Sequence, residues 1–493
     1  MGVMRFLLHP PSFSQRLIHP EQAYLGGMDG RIFPTKVEVH DGELLVRRPT
    51  SESGKLSIAW PVANFGHPVL TTASLRERDQ PYDLALELAR GRLSEIRESM
   101  AIWEQAGMVI PDAFRQAQRE AFSLFAQAST SHGTKEEIAE LATRSIEKSL
   151  VASNLLMDSY AVQRLANIRR THHQTPGLLG CRMDDHLLSE ADFPHFQQAF
   201  NSVSIPVNWM DVEAEEGNYH WDQIDRQVNF ALDRRIIVRG GPLIDLSPNG
   251  LPVWLAPWAK DFQNLPSFVC DYIETVIARY QGRIRIWEIS AYGNTGGALG
   301  LGEDFCLALV ARTLEAAHRT DSDSQLFVRL DCPWGEYQRR GEHRLSPFQF
   351  VDALVRSNLG LSGVTLDLNI GYGAEACSAR DLLSISKLLD FWSLLQVQIH
   401  VNVACPSSAG PDPRSNPRYG VVDRVWNAPW SEETQAEWME QVIPILLAKP
   451  CVTGVFLNNF HDAAAHRYPH AGLISSAGRP KQMLTSWRRL LQY

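Results

Sequence analysis

The chain of 493 residues is too long for one ordinary domain and suits two or three. Its net charge of −9 comes from interspersed acids and bases with no long basic run, which argues against a nucleic-acid partner. No apolar stretch reaches the ~20 residues of a membrane span. No signal peptide is legible at the N-terminus, and seven scattered cysteines include no C-x-x-C pair. Those cysteines speak against a disulfide framework or a zinc site, and the expected location is cytoplasmic.

Residues 1–80 read as β-rich. KVEVHDGELLVRR has the form strand, Asp-Gly turn, strand. A small β-sandwich or sheet is expected there, acting as a structural cap on its neighbour rather than a sugar-binding module. From 81 to 175 the apolar period turns helical. YDLALELARGRLSEIRESMAIWEQAG predicts a helix that stops at Gly107. PDAFRQAQREAFSLFAQA predicts a second, opened by Pro111, and TKEEIAELATRSIEKSLVASNLLMDSYAVQRLANIRR a long third. This region reads as scaffold. THHQTPG (171–177) reads as a linker, with His172 and His173 as solvated loop residues.

Across 176–493, strand-type runs alternate with helical runs eight times. The expected strands are LLGCRMD (178–184), SVSIPVNW (202–209), IIVRGGPLID (236–245), IRIWEISAYG (284–293), QLFVRLDCP (325–333), GVTLDLNIGY (363–372), QVQIHVNVACP (396–406) and VTGVFLNNFHD (452–462). Between them, Trp221, Ile224, Val228 and Leu232 share one helical stripe, and Ser346-Pro347 opens another helix with an N-cap and an N1 proline. The fold class is α/β: a (β/α)₈ TIM barrel preceded by a small β-rich domain and a helical segment. Active sites of such barrels lie at the C-terminal ends of the strands.

Several barrel stretches resemble glycoside hydrolase family 10, the endo-β-1,4-xylanase family. FNSVSIPVNWMDVEAEEGNYHWDQIDRQVNFALDRRIIVRGGPLI is similar to that family's run from strand two to strand three. It has the F-N-x-V opening, the E-x-x-x-G-x-Y-x-W turn and the V-R-G strand. IARYQGRIRIWEIS and GLISSAGRPKQMLTSWRRLL resemble its approach to strand four and its closing segment. The resemblance implies a sugar-cleaving barrel with an acid/base Glu after strand four and a nucleophilic Glu on strand seven. At those places this chain reads Ala291-Tyr292 and His400-Val401-Asn402-Val403. The family's strand-three histidines and tryptophan are replaced within Arg239 to Leu246.

The remaining strand-end carboxylates that could carry relocated catalysis are Glu336, Asp331, Asp245 and Asp367. In RLDCPWGEY, Gly335 permits a turn that could aim Glu336 into the mouth. The alternative is a surface pair with Arg339 or Arg340. Alternation places Thr365, Asp367 and Asn369 inward, where Asp367 could serve as an internal hydrogen-bonding group. Asp245 could be an acid or a cap on the loop LSPNG. Glu288 reads as a deeper, paired structural carboxylate. The expected sugar-binding set is Trp209, Tyr292, Asn294, Trp334, Tyr337, His400, Asn402, Asn458 and His461, since neutral donors and aromatic faces suit sugar hydroxyls. A metal pair of His400 and His461 with Asp245 or Asp462 is the weaker reading of those histidines, and no metal is expected. No dinucleotide or P-loop motif occurs, so no cofactor is expected. The expected partner is an oligosaccharide or glycoconjugate, neither nucleic acid nor membrane. Two functions stay open: a glycoside hydrolase with moved carboxylates, or a non-catalytic carbohydrate-binding pseudoenzyme.

Overall fold

The computed structural model describes residues 2–27, 30–172, 177–183, 188–373, 378–422 and 425–492. Seven short strands come first: β1 (Gly2–Leu7), β2 (Tyr24–Gly26), β3 (Lys36–His40), β4 (Glu43–Arg48), β5 (Lys55–Ala59), β6 (Val69–Thr71) and β7 (Tyr82–Asp83). They make two small sheets, ordered β3-β4-β1-β7 and β2-β5-β6. The expected hairpin is β3–β4, and both turn residues are left-handed, Asp41 at φ 48° and Gly42 at φ 80°.

Three helices follow: α1 (Leu84–Gln105), α2 (Asp112–Thr130) and α3 (Lys135–His172). Thr171 and His172 end α3 rather than start a linker, while His173 to Pro176 lie outside the described residues. The β-sheets and these helices share one core. Phe6, Leu44 and Leu56 pack with Leu84 and Leu88 of α1 and Ile146 and Leu150 of α3. Two small sheets alone bury too little to stand independently, so the helices complete them.

The eight expected barrel strands form as β8 (Leu178–Arg182), β9 (Ser202–Ile205), β10 (Ile237–Gly240), β12 (Ile286–Ala291), β13 (Gln325–Leu330), β14 (Leu361–Asn369), β15 (Gln398–Ala404) and β16 (Val452–Leu457), with a two-residue β11 (Ile244–Asp245) along β12. Pairing of β16 with β8 and of β10 with β12 closes a parallel barrel. Most strands stop several residues short of the expected ends, because the chain turns there into the mouth loops. Asp184 falls outside the described residues. At the barrel bottom Phe327 stacks on His400 at 3.9 Å, and His400 lies 5.3 Å from Phe456. Glycine makes the room: a Cβ at Gly180 would sit 2.3 Å from Phe456, and one at Gly363 2.3 Å from Phe327. Such interdigitation fills the barrel as a packed core.

The helical segment grips the barrel through a buried ion pair. Arg92 of α1 bonds Asp381 at the start of the barrel helix Leu382–Trp392, and also donates to Ser153 of α3 at 2.6 Å. Asp381 in turn caps that helix by accepting from the Leu383 amide at 3.1 Å. Arg92→Met leaves a buried carboxylate uncompensated and should cost about 3–5 kcal/mol in urea denaturation. A loss under about 0.5 kcal/mol would mean that the pair does not hold the two parts together.

Candidate active site

Charged side chains on the inner faces of the strands build the floor of the mouth. Arg329 of β13 donates to Asp367 of β14 through Nε at 2.9 and 3.1 Å and through Nη2 at 2.9 Å. Asp367 also accepts from Asn402 Nδ2 at 3.0 Å and from the Tyr292 hydroxyl at 3.1 Å. Arg239 of β10 continues the chain, donating to Asn402 Oδ1 at 3.0 Å and facing Glu288 at 3.3 Å. Asn458 donates to Asn369 at 2.8 Å, and Asn369 to the Tyr468 hydroxyl at 2.7 Å. Buried charges persist only with such partners. The network ties together five of the barrel strands, and Asn458 joins it just past the end of β16.

Above the floor lies a cleft of about 230 Å³. Its walls include Tyr292, Asp331, Cys332, Glu336, Tyr419 and Arg467. The β-rich region supplies Gln22 to the same wall, and Tyr24 accepts from Arg380 at 3.0 Å just behind it. Two non-glycine residues at the cleft hold left-handed backbone, Tyr292 at φ 60° and Cys332 at φ 46°. That conformation costs free energy and clusters at functional sites. At Tyr292 it has a visible purpose. A bulge between Glu288 and Ser290 shifts β12 by one residue, so that Ala291 rather than Ser290 registers with Arg329. The positive φ then turns the tyrosine back towards the mouth.

Asp331 has no basic partner within salt-bridge reach among the described residues, unlike Glu336 of the same cleft. It is half-buried, and its Oδ1 accepts from the Cys332 amide at 2.9 Å. Burial, reinforced by the nearby Asp367 charge, pushes it up to about 7. Asn294 clamps its backbone, donating to the Asp331 carbonyl at 2.8 Å and accepting from its amide at 3.2 Å. Tyr292 behaves differently: burial holds its phenol well above the ordinary range, against the pull of Arg329 and Arg467.

The model of glycosyl hydrolase family 10 matches residues 169–291. Endo-1,4-beta-xylanase 2 of Claviceps purpurea is 30% identical over 157 residues, which is 29% of this chain and 45% of that protein. Endo-1,4-beta-xylanase B of Thermotoga neapolitana is 31% identical over 85 residues, 17% of this chain and 23% of that protein. The matched stretches thus span less than half of these curated relatives. Xylanase 10B from Thermotoga maritima superposes with a TM-score of 0.50 at 18% identity, covering 66% of this chain and 98% of that one. The chain carries a family 10 xylanase-like barrel. The family match ends at Ala291, one residue before the strained Tyr292.

Within this family 10-like mouth the expected site residues separate into groups. Tyr292, Asp331, Glu336 and Tyr337 line the cleft together. Glu336 is tied to the buried Arg380 at 2.5 Å, not to Arg339 or Arg340, and Arg380 also lies 4.9 Å over the Trp334 ring. Tyr337 donates its hydroxyl to the Leu345 carbonyl at 3.0 Å. Asp367, Asn402 and Asn458 sit in the floor, and Asn294 holds Asp331 from behind.

The other expected residues lie elsewhere. Asp245 caps its own loop by accepting from the Ser247 amide at 2.9 Å. Trp209 is buried outside the strands, stacked on Tyr272 at 4.5 Å and bonded to Glu213 at 2.7 Å. The residues before it leave the strand for a helical turn, so its ring joins the helix layer. His400 is a bottom-layer residue, and burial keeps it neutral. His461 accepts from the Ala463 amide at 2.8 Å and lines a separate cavity with Asp192 and Arg414. Sequence reasoning missed Arg329, Arg467 and Tyr419. For Arg329 a signal existed, a lone charge inside the apolar strand QLFVRL. For the two loop residues none did.

The raised Asp331 carboxyl makes a stability prediction with a definite sign. The folded protein keeps its proton up to about pH 7, whereas an unfolded aspartate releases it near pH ~4. The native state therefore binds more protons in that window, and this group's contribution to stability falls as pH rises through it. Asp331→Asn should gain stability relative to wild type from pH ~4 to ~7 and stay level above, as read by urea denaturation. A constant difference across that range would show an ordinary carboxylate.

Proposed function

We propose that the barrel mouth is a carbohydrate site of the glycoside hydrolase type, taking an oligosaccharide or glycoconjugate, with Asp331 as its acid. The observation that carries this reading is Asp331 itself: a half-buried carboxyl that lines the cleft, is clamped by Asn294 and is poised near neutral pH. A glycosidic bond breaks when an acid protonates the leaving oxygen, and an acid with a pKa near the working pH does so best. Tyr292 and Tyr419 line the same wall, so a bound sugar ring would lie beside them. The relatives are named endo-1,4-beta-xylanases, so xylo-oligosaccharides are the first substrates to try. The expected cytoplasmic setting favours short oligosaccharides over a polymer.

A specific observation also favours binding without cleavage. Retaining hydrolysis uses two carboxyl groups ~5 Å apart. Asp367 is neutralised by Arg329, Glu336 is held by Arg380, and Tyr292 remains a phenol. These features fit a pseudoenzyme that kept the cleft.

The test is turnover of aryl glycosides and xylo-oligosaccharides by wild type, Asp331→Asn and Glu336→Gln, with binding measured in parallel. The proposal expects Asp331→Asn to bind sugar normally and lose about 100-fold or more in kcat. Wild-type kcat should fall about tenfold per pH unit above about 7, as the acid ionises. Unchanged turnover in Asp331→Asn would remove Asp331 from the chemistry. Saturable binding with no wild-type turnover would establish the binding reading instead.

A further inference from the structure

The buried arginines of this protein face carboxylates, and the half-buried Arg467 does not. Arg92 faces Asp381, Arg239 faces Glu288, Arg329 faces Asp367 and Arg380 faces Glu336, each within salt-bridge distance. Arg467, on the loop after β16, has no carboxylate within 4.0 Å among the described residues. Its Nη1 donates to the Tyr292 hydroxyl at 2.6 Å and its Nη2 to the Tyr419 hydroxyl, while the buried Nε donates to nothing. The guanidinium carbon lies 4.5 Å from the Tyr292 ring centre and 4.9 Å from that of Tyr419. Phenols and ring faces soften the loss of water around this cation without neutralising it. A guanidinium so held wants an anionic oxygen group.

The rest of the wall agrees in sign. Arg339 and Arg340 line the same cleft, beside Asp331, Glu336 and Glu342. Glu336 is already matched by Arg380 outside that set.

On the reading of the mouth as a carbohydrate site, we propose that its ligand is an acidic sugar, a uronate whose carboxylate is received by Arg467 with the pyranose ring against Tyr292 and Tyr419. The tyrosine hydroxyls preorganise the guanidinium, so the site is set before the ligand arrives. Neutral sugars meet the same tyrosines but leave the cation unmatched.

Calorimetric titration with a glucuronate-bearing xylo-oligosaccharide, its neutral counterpart and inorganic sulfate tests this. The uronate should bind at least about tenfold more tightly than the neutral sugar, the preference should shrink at high salt, and Arg467→Met should abolish it while Arg467→Lys keeps part of it. The salt dependence is read on wild type, so the test survives a poorly folded variant. Equal affinity for charged and neutral sugars would overturn the acidic-sugar inference and leave the carbohydrate reading standing. Sulfate binding as tightly as the uronate would reduce the site to a general anion site and overturn it too. Binding of neither sugar would sink both.

Discussion

Arg329 and Asp367 meet on adjacent strands inside the barrel, out of reach of water, and each is tolerable there only because the other is present. Three hydrogen bonds hold the pair side-on. Everything above it takes its orientation from that contact. Asn402 and Tyr292 bond the remaining acceptor positions of Asp367, Asn402 hands the chain on to Arg239, and Asn458 stands beside the Arg329 guanidinium. A carboxylate so fully matched is structural. Its charge nevertheless reaches the cleft, where it helps to keep the proton on Asp331.

The mouth therefore divides its charges by depth. The floor is a neutralised network, while the wall keeps an acid near neutrality and a cation with no carboxylate within 4.0 Å among the described residues. The tyrosine between them is re-aimed by a bulge and a left-handed residue, two local costs accepted at one place. The N-terminal region takes part as a wall: Gln22 lines the cleft, and Thr35 donates to the Arg339 carbonyl at 2.9 Å, bracing the segment that carries Glu336 and Tyr337. Cleft shape thus depends on residues far from the barrel in sequence.

Period and punctuation made the barrel legible. All eight strands and the three scaffold helices follow from apolar spacing, and the Asp-Gly hairpin from its turn chemistry. Alternation alone placed Asp367 and Asn369 inward and marked Glu288 as paired, because inside a barrel the two-residue period decides which side chains face the axis. The same logic failed where the backbone leaves regular geometry. Trp209 stands past the end of its strand, and His400 has the right parity but the wrong depth, which alternation does not encode. The key wall residues Tyr419 and Arg467 sit on long loops whose return to the mouth is a tertiary fact. No periodicity precedes them.

The most direct test of the account is a crystal structure with a bound oligosaccharide. A sugar ring should lie in the mouth, in contact with Tyr292 and Tyr419, with a glycosidic oxygen within hydrogen-bond reach of Asp331 and a ligand anion on Arg467. Sugar bound instead in the cavity beside His461, or on the outer helices with the mouth left to water, would contradict it.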